Sequence, residues 1–196
     1  MRPYKTGSRL SKIIEVLKRR QYSLRVVMEN IHDPHNVSAI LRTCDAVGIP
    51  KVSLVYNIEK FPKLNRTSSS GAVKWVEREK YRDIKECYDS LHNEGFKIYA
   101  SSLSEQSISL YDIDFTQKVA IVLGNEHRGI SQEAAELADG LFQIPMHGMV
   151  QSLNVSVANA VVLYEAQRQR LAGGMYGKSE LTEEEFDKFI DEWCKK

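Results

Sequence analysis

Short apolar runs alternate with longer amphipathic segments along most of the chain. The runs have the length and the Val, Ile and Leu content of buried strands, and the amphipathic segments have the 3.6-residue period of helices. The predicted strands are LRVVM at 24–28, VSLVY at 52–56, KIYAS at 97–101, VAIVL at 119–123 and LFQI at 141–144, and the predicted helices cover 34–47, 82–94, a short segment after Ser131, and 153–171. This alternation predicts an α/β fold, a parallel sheet with flanking helices.

Two further helices are predicted as short extensions at the two ends. At 8–21, Leu10, Ile13, Ile14 and Leu17 form an apolar stripe, with Arg9, Lys12, Arg19 and Arg20 on an adjacent face. At 181–193, Thr182 and Glu185 have the spacing of a capping box, and an apolar face follows them. We therefore predict a basic amino-terminal helix at 1–22, a core at 23–172 and a carboxyl-terminal docking helix at 173–196.

The segment at 57–80 does not have the pattern of a strand or a helix. It is polar and rich in serine, and it is longer than most irregular connections within a compact domain. Long connections of this kind are commonly functional. We therefore predict a functional loop here.

Composition limits the kind of protein. The chain has 196 residues, 42% of them apolar and 27% charged, which suits one soluble core. No apolar run approaches the roughly 18 residues that span a bilayer, and the first twenty residues lack a signal-peptide core. Cys44, Cys87 and Cys194 are far apart in sequence and suggest neither a disulfide framework nor a zinc cluster. We expect a cytoplasmic protein without a membrane anchor.

Positive charge is concentrated at the amino terminus. Residues 1–25 carry eight Lys or Arg against one Glu, although the net charge of the chain is only +1. Clustered positive charge is typical of phosphate binding, but a basic helix can also be a solvated surface. Both interpretations stay open on charge alone.

Ligands of open parallel sheets bind beside the carboxyl ends of the strands, so the loops that follow the strands are the first place to look for a site. Three stand out: 124–129 (GNEHRG), 145–149 (PMHGM), and Ser102 with Leu103. The first two are rich in glycine or small residues, which lets a ligand approach the backbone. None is a dinucleotide-binding or P-loop motif, so a nucleotide-binding metabolic enzyme is disfavoured.

The helix predicted at 153–171 is apolar around most of its circumference, which indicates burial on several sides and suggests a subunit interface. Ser152 and Asn154 stand at its start. Ser152 has two interpretations, an ordinary N-cap or a functional residue. Asn154 is expected to be buried and to need hydrogen-bond partners.

The helix at 34–47 carries a second group of polar residues. Asp33 and Pro34 give it a typical start, and Arg42 lies off its buried stripe on the same face as His35. His32 and His35 have no further ligands at a useful spacing, so no metal site is expected.

Together these segments resemble the three motifs of the SPOUT methyltransferases, in the SpoU/TrmH family of RNA ribose 2'-O-methyltransferases. The first motif is DPHNVSAILRT with Asn36 and Arg42, the second is LGNEHRG with Glu126, and the third is IPMHGMVQSLNVSVAN with Ser152 and Asn154. The resemblance runs from about residue 23 to 171. The basic first helix and acidic last helix most resemble the members that modify guanosine 18 in the D-loop of tRNA.

The resemblance implies a deep trefoil knot in the carboxyl-terminal part, a homodimer, and S-adenosylmethionine as cofactor. It implies that Asn36, Arg42, Glu126, Ser152 and Asn154 form the catalytic centre. The implied cofactor-binding residues are Ser101, Ser102, Leu103, Leu123, Gly124, Asn125, Gly129, Ile144, Pro145, Met146, Ser152 and Leu153.

The RNA substrate is expected to contact Arg9, Lys12, Arg19, Arg20, His35, Arg168 and Arg170. Ribosomal RNA as the substrate, and a non-catalytic RNA-binding protein with the same fold, are the alternatives; the second would lack Arg42, Asn36 or Glu126. The resemblance assigns activation of the ribose hydroxyl to Arg42. Arginine stays protonated in proteins, so Arg42 is either an unusual base or a cation that binds the adjacent phosphate and an incipient alkoxide. Glu126 is expected to order Asn36 or Arg42.

Overall fold

The computed structural model describes residues 6–64 and 71–196. Its centre is one sheet of seven parallel strands in the order β3-β2-β1-β6-β4-β7-β5. The strands are β1 (Leu24–Glu29), β2 (Lys51–Val55), β3 (Glu77–Tyr81), β4 (Lys97–Ser101), β5 (Ile108–Ser109), β6 (Val119–Leu123) and β7 (Gly140–Gln143). The helices are α1 (Gly7–Lys18), α2 (Pro34–Val47), α3 (Ala72–Trp75), α4 (Ile84–Asn93), α5 (Gln132–Leu137), α6 (Val155–Ala172) and α7 (Glu183–Lys195). The α/β prediction is confirmed.

The central strands β1 and β6 are buried along their whole length, as expected for strands covered on both faces. They are direct neighbours, and the order of the strands reverses between them because β2 and β3 lie to one side and β4, β7 and β5 to the other. Ligands of open α/β sheets bind at such a reversal. The loops after β1, β4, β6 and β7 therefore converge at one edge of the sheet.

Helix α2 begins and ends where its sequence predicts. The Asp33 side chain accepts a hydrogen bond from the backbone N–H of His35 at 2.8 Å, and Pro34 occupies the first turn. Gly48 ends the helix with φ of +89°, in the left-handed region that glycine tolerates. The helix then packs against α6 and covers one face of the sheet.

The prediction of a structureless loop at 57–80 is wrong for its second half, where α3 and β3 form. Residues 65–70 of this segment lie outside the described part of the chain. Strand β3 has the polar sequence EREKY and pairs with β2 at the edge of the sheet, where only one neighbour exists. Charged residues are common on edge strands, so an apolar pattern could not reveal it.

Helix α6 begins two residues later than expected. Asn154 is its N-cap, and its side chain accepts hydrogen bonds from the backbone N–H and the hydroxyl of Ser156 at 2.9 and 2.6 Å. Asn154 is exposed, so the expectation of a buried amide is wrong; Ser152 precedes the helix and is not its cap.

The terminal helices α1 and α7 pack against each other through a small apolar cluster that includes Leu17, Ile190 and Trp193. The predicted capping box of α7 is present, with Thr182 and Glu185 each bonding the other's backbone. Arg20 follows α1 and was expected on its RNA-facing surface. It is instead 1% exposed, donates to the carbonyl of Ile49 and to Asp45, and lies over the Trp193 ring. Arg20 is therefore a structural residue.

Arg170, near the end of α6, is a second correction to the expected RNA contacts. Its side chain is fully buried and donates to the carbonyl oxygens of Phe115, Gln117 and Ser23 at 2.8 to 3.0 Å. Its Nη1 also lies 3.5 Å from a carboxylate oxygen of Glu180. One guanidinium thus joins α6, the segment before β6, the start of β1 and the chain leading to α7.

The chain path through the knot, and the division at 22/23 and 172/173, stay predictions. Among the helices of the described residues, none is long and apolar enough to cross a membrane.

We expect Arg170→Met to lower the free energy of unfolding by about 3 kcal/mol, because it removes the hydrogen bond to the buried carbonyl of Phe115 and those to the partly buried carbonyls of Gln117 and Ser23. Arg168→Met is the matched control, since Arg168 is exposed on the same helix and, among residues 6–64 and 71–196, its side chain pairs only with Glu165. The control should cost under about 0.5 kcal/mol. Urea unfolding measures both, and equal losses would contradict the assignment.

Candidate active site

A cavity of about 650 Å³ opens at the carboxyl edge of the sheet, between the loops that follow β4, β6 and β7 and the start of α6. Its size suits a ligand of cofactor dimensions. Eleven of the twelve residues predicted to bind the cofactor line it: Ser101, Ser102, Leu103, Leu123, Gly124, Asn125, Gly129, Ile144, Met146, Ser152 and Leu153. Pro145 is not among the lining residues.

The loop after β6 is a tight turn closed by backbone hydrogen bonds in both directions between Asn125 and Gly129, at 2.9 and 2.8 Å. A Cβ atom on Gly124 would overlap the backbone of Gly129 and Ile130, so this turn requires glycine there. The Asn125 side chain is buried, donates to the carbonyl of Asn30, and accepts from the backbone N–H groups of His127 and Arg128. These hydrogen bonds of the Asn125 side chain fix the backbone of the loop after β6.

Glu126 joins this turn to the start of α2. Its carboxylate accepts hydrogen bonds from the backbone N–H groups of His32 and Asp33, at 3.0 and 3.1 Å, and from the Asn36 side-chain amide at 2.9 Å. The prediction that Glu126 orders Asn36 therefore agrees with the geometry. Two of the three motifs meet in these contacts.

The hydrogen bonds also set the charge of Glu126. Partial burial raises the pKa of its carboxyl group, but the donors from Asn36, His32 and Asp33 outweigh that effect and hold the pKa below its ordinary value. Glu126 is therefore a carboxylate at neutral pH, and both of its oxygen atoms accept hydrogen bonds from protein donors. It suits an orienting role better than that of a proton acceptor.

Arg42 lies on the same helix as Asn36, six residues further along, and its side chain is exposed. Within 6–64 and 71–196 it has no hydrogen bond or ion pair. His35 is exposed beside it on the helix face predicted from the seven-residue spacing. Asn36, by contrast, is 7% exposed and is held by Glu126. The guanidinium of Arg42 is thus available to a substrate.

The third motif contributes to the wall of the cavity. Ser152 and Asn154 both line it, and the Asn154 side-chain oxygen is occupied by capping α6. Glu126 lines the same cavity. The structure therefore brings Glu126, Ser152 and Asn154 together at the cavity, and Asn36 joins them through its hydrogen bond to Glu126. Neither Asn36 nor Arg42, both on α2, is among the lining residues.

The sequence prediction missed several residues of this region. Gln143, Gln151 and Arg128 also line the cavity. Asn30 is left-handed, with φ of +52°, and receives the hydrogen bond from Asn125. Its place two residues after the strand predicted at 24–28 was the available signal, because Asn tolerates this conformation better than most residues.

The predicted RNA contacts fall into two groups. Arg9, Lys12, Arg19, His35 and Arg168 are exposed, whereas Arg20 and Arg170 are buried. Arg9 also lies over the ring of Trp75 at 5.3 Å. Within the described ranges, no group of three or more His, Cys, Asp or Glu side chains is placed to hold a metal ion.

Comparison with known proteins relates this fold and site to a methylase family. Residues 23–164 match the SpoU rRNA Methylase family. A tRNA (guanosine(18)-2'-O)-methyltransferase from Thermus thermophilus is 47% identical over 98% of both chains. A 23S rRNA (guanosine-2'-O-)-methyltransferase from Xanthomonas axonopodis is 37% identical over 76% of this chain and 60% of its own length.

Solved structures agree. The Aquifex aeolicus TrmH/SpoU tRNA modifying enzyme superposes with a TM-score of 0.89 at 44% identity, covering 95% of this chain and 94% of its own. The SpoU methyltransferase AviRb from Streptomyces viridochromogenes, in complex with the cofactor AdoMet, has a TM-score of 0.70 at 25% identity and covers 80% of this chain and 62% of its own. With the family match and these relatives, this chain belongs to the SpoU family of RNA methylases.

Proposed function

We propose that this protein methylates the ribose 2'-hydroxyl of guanosine 18 in tRNA, with S-adenosylmethionine as the methyl donor. The observation that carries the proposal is the contact of Glu126 with Asn36 beside a cofactor-sized cavity, in a chain that matches a tRNA (guanosine(18)-2'-O)-methyltransferase over 98% of its length. We also propose that the enzyme works in the cytoplasm.

The residues around the cavity fit the proposed cofactor. Leu103, Leu123 and Ile144 offer apolar contact to a flat base, while Gln143 and Gln151 offer polar groups to a ribose or an amino-acid moiety. The space beside Gly129, where a Cβ atom would meet nothing within 4 Å, leaves the backbone open to close approach. The carboxylate of Glu126 adds negative charge to a site for a sulfonium ion.

When bound, S-adenosylmethionine supplies an electrophilic methyl group. The protein then has to align the ribose oxygen with that group and stabilise the oxygen as its proton leaves. Glu126 and Asn36 fix the start of α2 at the cavity. Arg42, without a protein partner among the described residues, binds the adjacent phosphate and the incipient alkoxide through its guanidinium, with that phosphate or water accepting the proton.

The exposed cations support tRNA as a partner. Arg9, Lys12 and Arg19 present positive charge on the first helix, and His35 and Arg168 add to it elsewhere. Contacts of this kind bind the RNA backbone rather than a base sequence, so affinity should fall steeply with salt.

A second copy of the chain is the proposed partner of α6. Val157, Tyr164 and Leu171 recur every seven residues on this helix and are 48%, 54% and 57% exposed. Met149 and Val150, in the loop before the helix, are also exposed. A face of large apolar side chains on a helix this long is typical of a protein interface. Because α6 packs on α2, such a dimer would form close to Arg42.

The substrate is tested by incubating the purified protein with unmodified tRNA, ribosomal RNA and labelled S-adenosylmethionine, followed by mapping of the labelled nucleotide. We expect label only on the ribose of guanosine 18, and none on tRNA that carries 2'-deoxyguanosine there. Label in ribosomal RNA alone would replace the tRNA proposal. No label and no calorimetric binding of the cofactor would overturn the methyltransferase proposal.

Arg42→Lys should lower kcat by roughly 100-fold while leaving cofactor affinity unchanged, because lysine keeps the charge but loses the forked donor geometry. Single-turnover kinetics with tRNA measures this. Arg82→Lys is the control, since Arg82 is an exposed arginine paired with Asp83 away from the cavity. Near wild-type turnover of Arg42→Lys with an unchanged pH profile would exclude a guanidinium-specific role.

The combined variant Val157→Glu with Tyr164→Glu should be monomeric, because it places charge in the centre of the proposed interface. Leu137→Glu, at a 41% exposed leucine on α5, should keep the wild-type mass. Light scattering coupled to size-exclusion chromatography measures both. A monomeric wild-type protein, or a dimeric double variant, would contradict the proposed dimer.

A further inference from the structure

The carboxylate of Glu59, in the segment that follows β2, lies between the guanidinium of Arg128 and the imidazole of His32, which belong to two of the active-site loops. Arg128 donates to its Oε1 at 2.8 Å, and the Nδ1 atom of His32 lies 3.4 Å from its Oε2. The Glu59 side chain is 25% exposed, whereas those of Arg128 and His32 are 53% and 70% exposed. Glu59 is therefore the most sheltered member of the three.

The backbone around Glu59 is fixed to the same loops. The Asn30 side-chain oxygen accepts hydrogen bonds from the backbone N–H groups of Ile58 and Glu59, both at 3.1 Å, and its amide donates to Asn57 at 2.8 Å. Asn30 holds a left-handed conformation to make these contacts, and its carbonyl accepts from Asn125 at 2.8 Å. The segment at 57–59 is thus anchored to the loops after β1 and β6.

Both side chains that Glu59 contacts belong to residues next to Glu126. The backbone N–H of His32 is one of the three donors to the Glu126 carboxylate. Arg128 follows Glu126 by two residues in the turn closed between Asn125 and Gly129. The hydrogen bonds of Glu126 join the loop after β1 to the loop after β6. Glu59 contacts both of these loops through His32 and Arg128, and it does not reach Glu126 itself.

We propose that Glu59 is a positioning residue for methyl transfer: it fixes the loops after β1 and β6 at the spacing that lets Glu126 hold the start of α2. The inference rests on the proposed function for its effect on turnover. The proposed effect of Glu59 on the spacing of the two loops does not depend on that function, because its contacts are with other protein side chains. Partly exposed ion pairs contribute little to global stability, so the main effect should appear in the local geometry.

The first test is kinetic. Glu59→Gln should lower kcat for tRNA methylation by about fivefold, with KM for tRNA and for S-adenosylmethionine changed by less than about twofold. Arg128→Gln should lower kcat by about the same factor. The double variant should be no slower than the slower single variant, because both substitutions break the same contact. Glu59→Asp, which keeps the charge, should recover part of the loss.

The matched control is Asp89→Asn, which removes the carboxylate of an exposed ion pair with Lys85 on α4. It should leave kcat and KM at wild-type values. The proposal would be overturned if the losses of kcat multiplied in the double variant, or if Glu59→Gln kept the wild-type kcat. It would also be overturned if Arg128→Gln raised only the KM for tRNA, since Arg128 would then be a direct RNA contact.

The second test needs no activity. Amide hydrogen exchange at His32 and Asp33, the backbone donors to Glu126, should be about fivefold faster in Glu59→Gln and unchanged in Asp89→Asn. Unchanged exchange at both amides would overturn the positioning role. An inactive wild-type protein would instead overturn the proposed function, and the exchange measurement would still decide the role of Glu59.

Discussion

The site depends on a carboxylate that accepts three hydrogen bonds from the protein. Glu126 accepts from two backbone N–H groups at the start of α2 and from the Asn36 amide, and this keeps its pKa low despite partial burial. Partial burial of a carboxylate costs free energy because the group loses hydrating water, and hydrogen bonds from protein donors offset that cost. The loop after β6 and the first turn of α2 are consequently tied to each other, and the position of Arg42 follows from the direction in which α2 leaves this contact.

Two buried arginines connect secondary-structure elements near the amino ends of the strands. Arg170 connects α6 to the start of β1 and to the segment before β6, and Arg20 connects the end of α1 to α2 and α7. Both guanidinium groups donate to backbone carbonyl oxygen atoms in the segments that precede β1, β2 and β6. The terminal helices are thus held by polar contacts as well as by their apolar cluster. The exposed cations of α1 then have a defined place relative to the sheet.

Much of this arrangement could be predicted from the sequence because its causes are local. The runs at 97–101 and 119–123 are strands with the predicted bounds, and Asp33, Gly48 and the Thr182 capping box act through neighbouring backbone atoms. Tertiary contacts decided the rest. Helical periodicity placed Arg20 on a surface, and Arg170 was expected to contact RNA as a basic residue. Both are buried instead, because they donate to carbonyl groups that are distant in sequence. β3 has no apolar pattern, because an edge strand needs only one partner.

These contacts also restrict how methyl transfer is catalysed. Glu126 is a poor proton acceptor, because its pKa is low and its oxygen atoms are bonded to donors. Arg42 is equally poor, because a guanidinium stays protonated. What this pair can supply is orientation and positive charge, which are the contributions that an in-line displacement requires most. Loops that fix the position of Glu126 therefore affect the rate of methyl transfer, even where their side chains do not contact the reacting atoms.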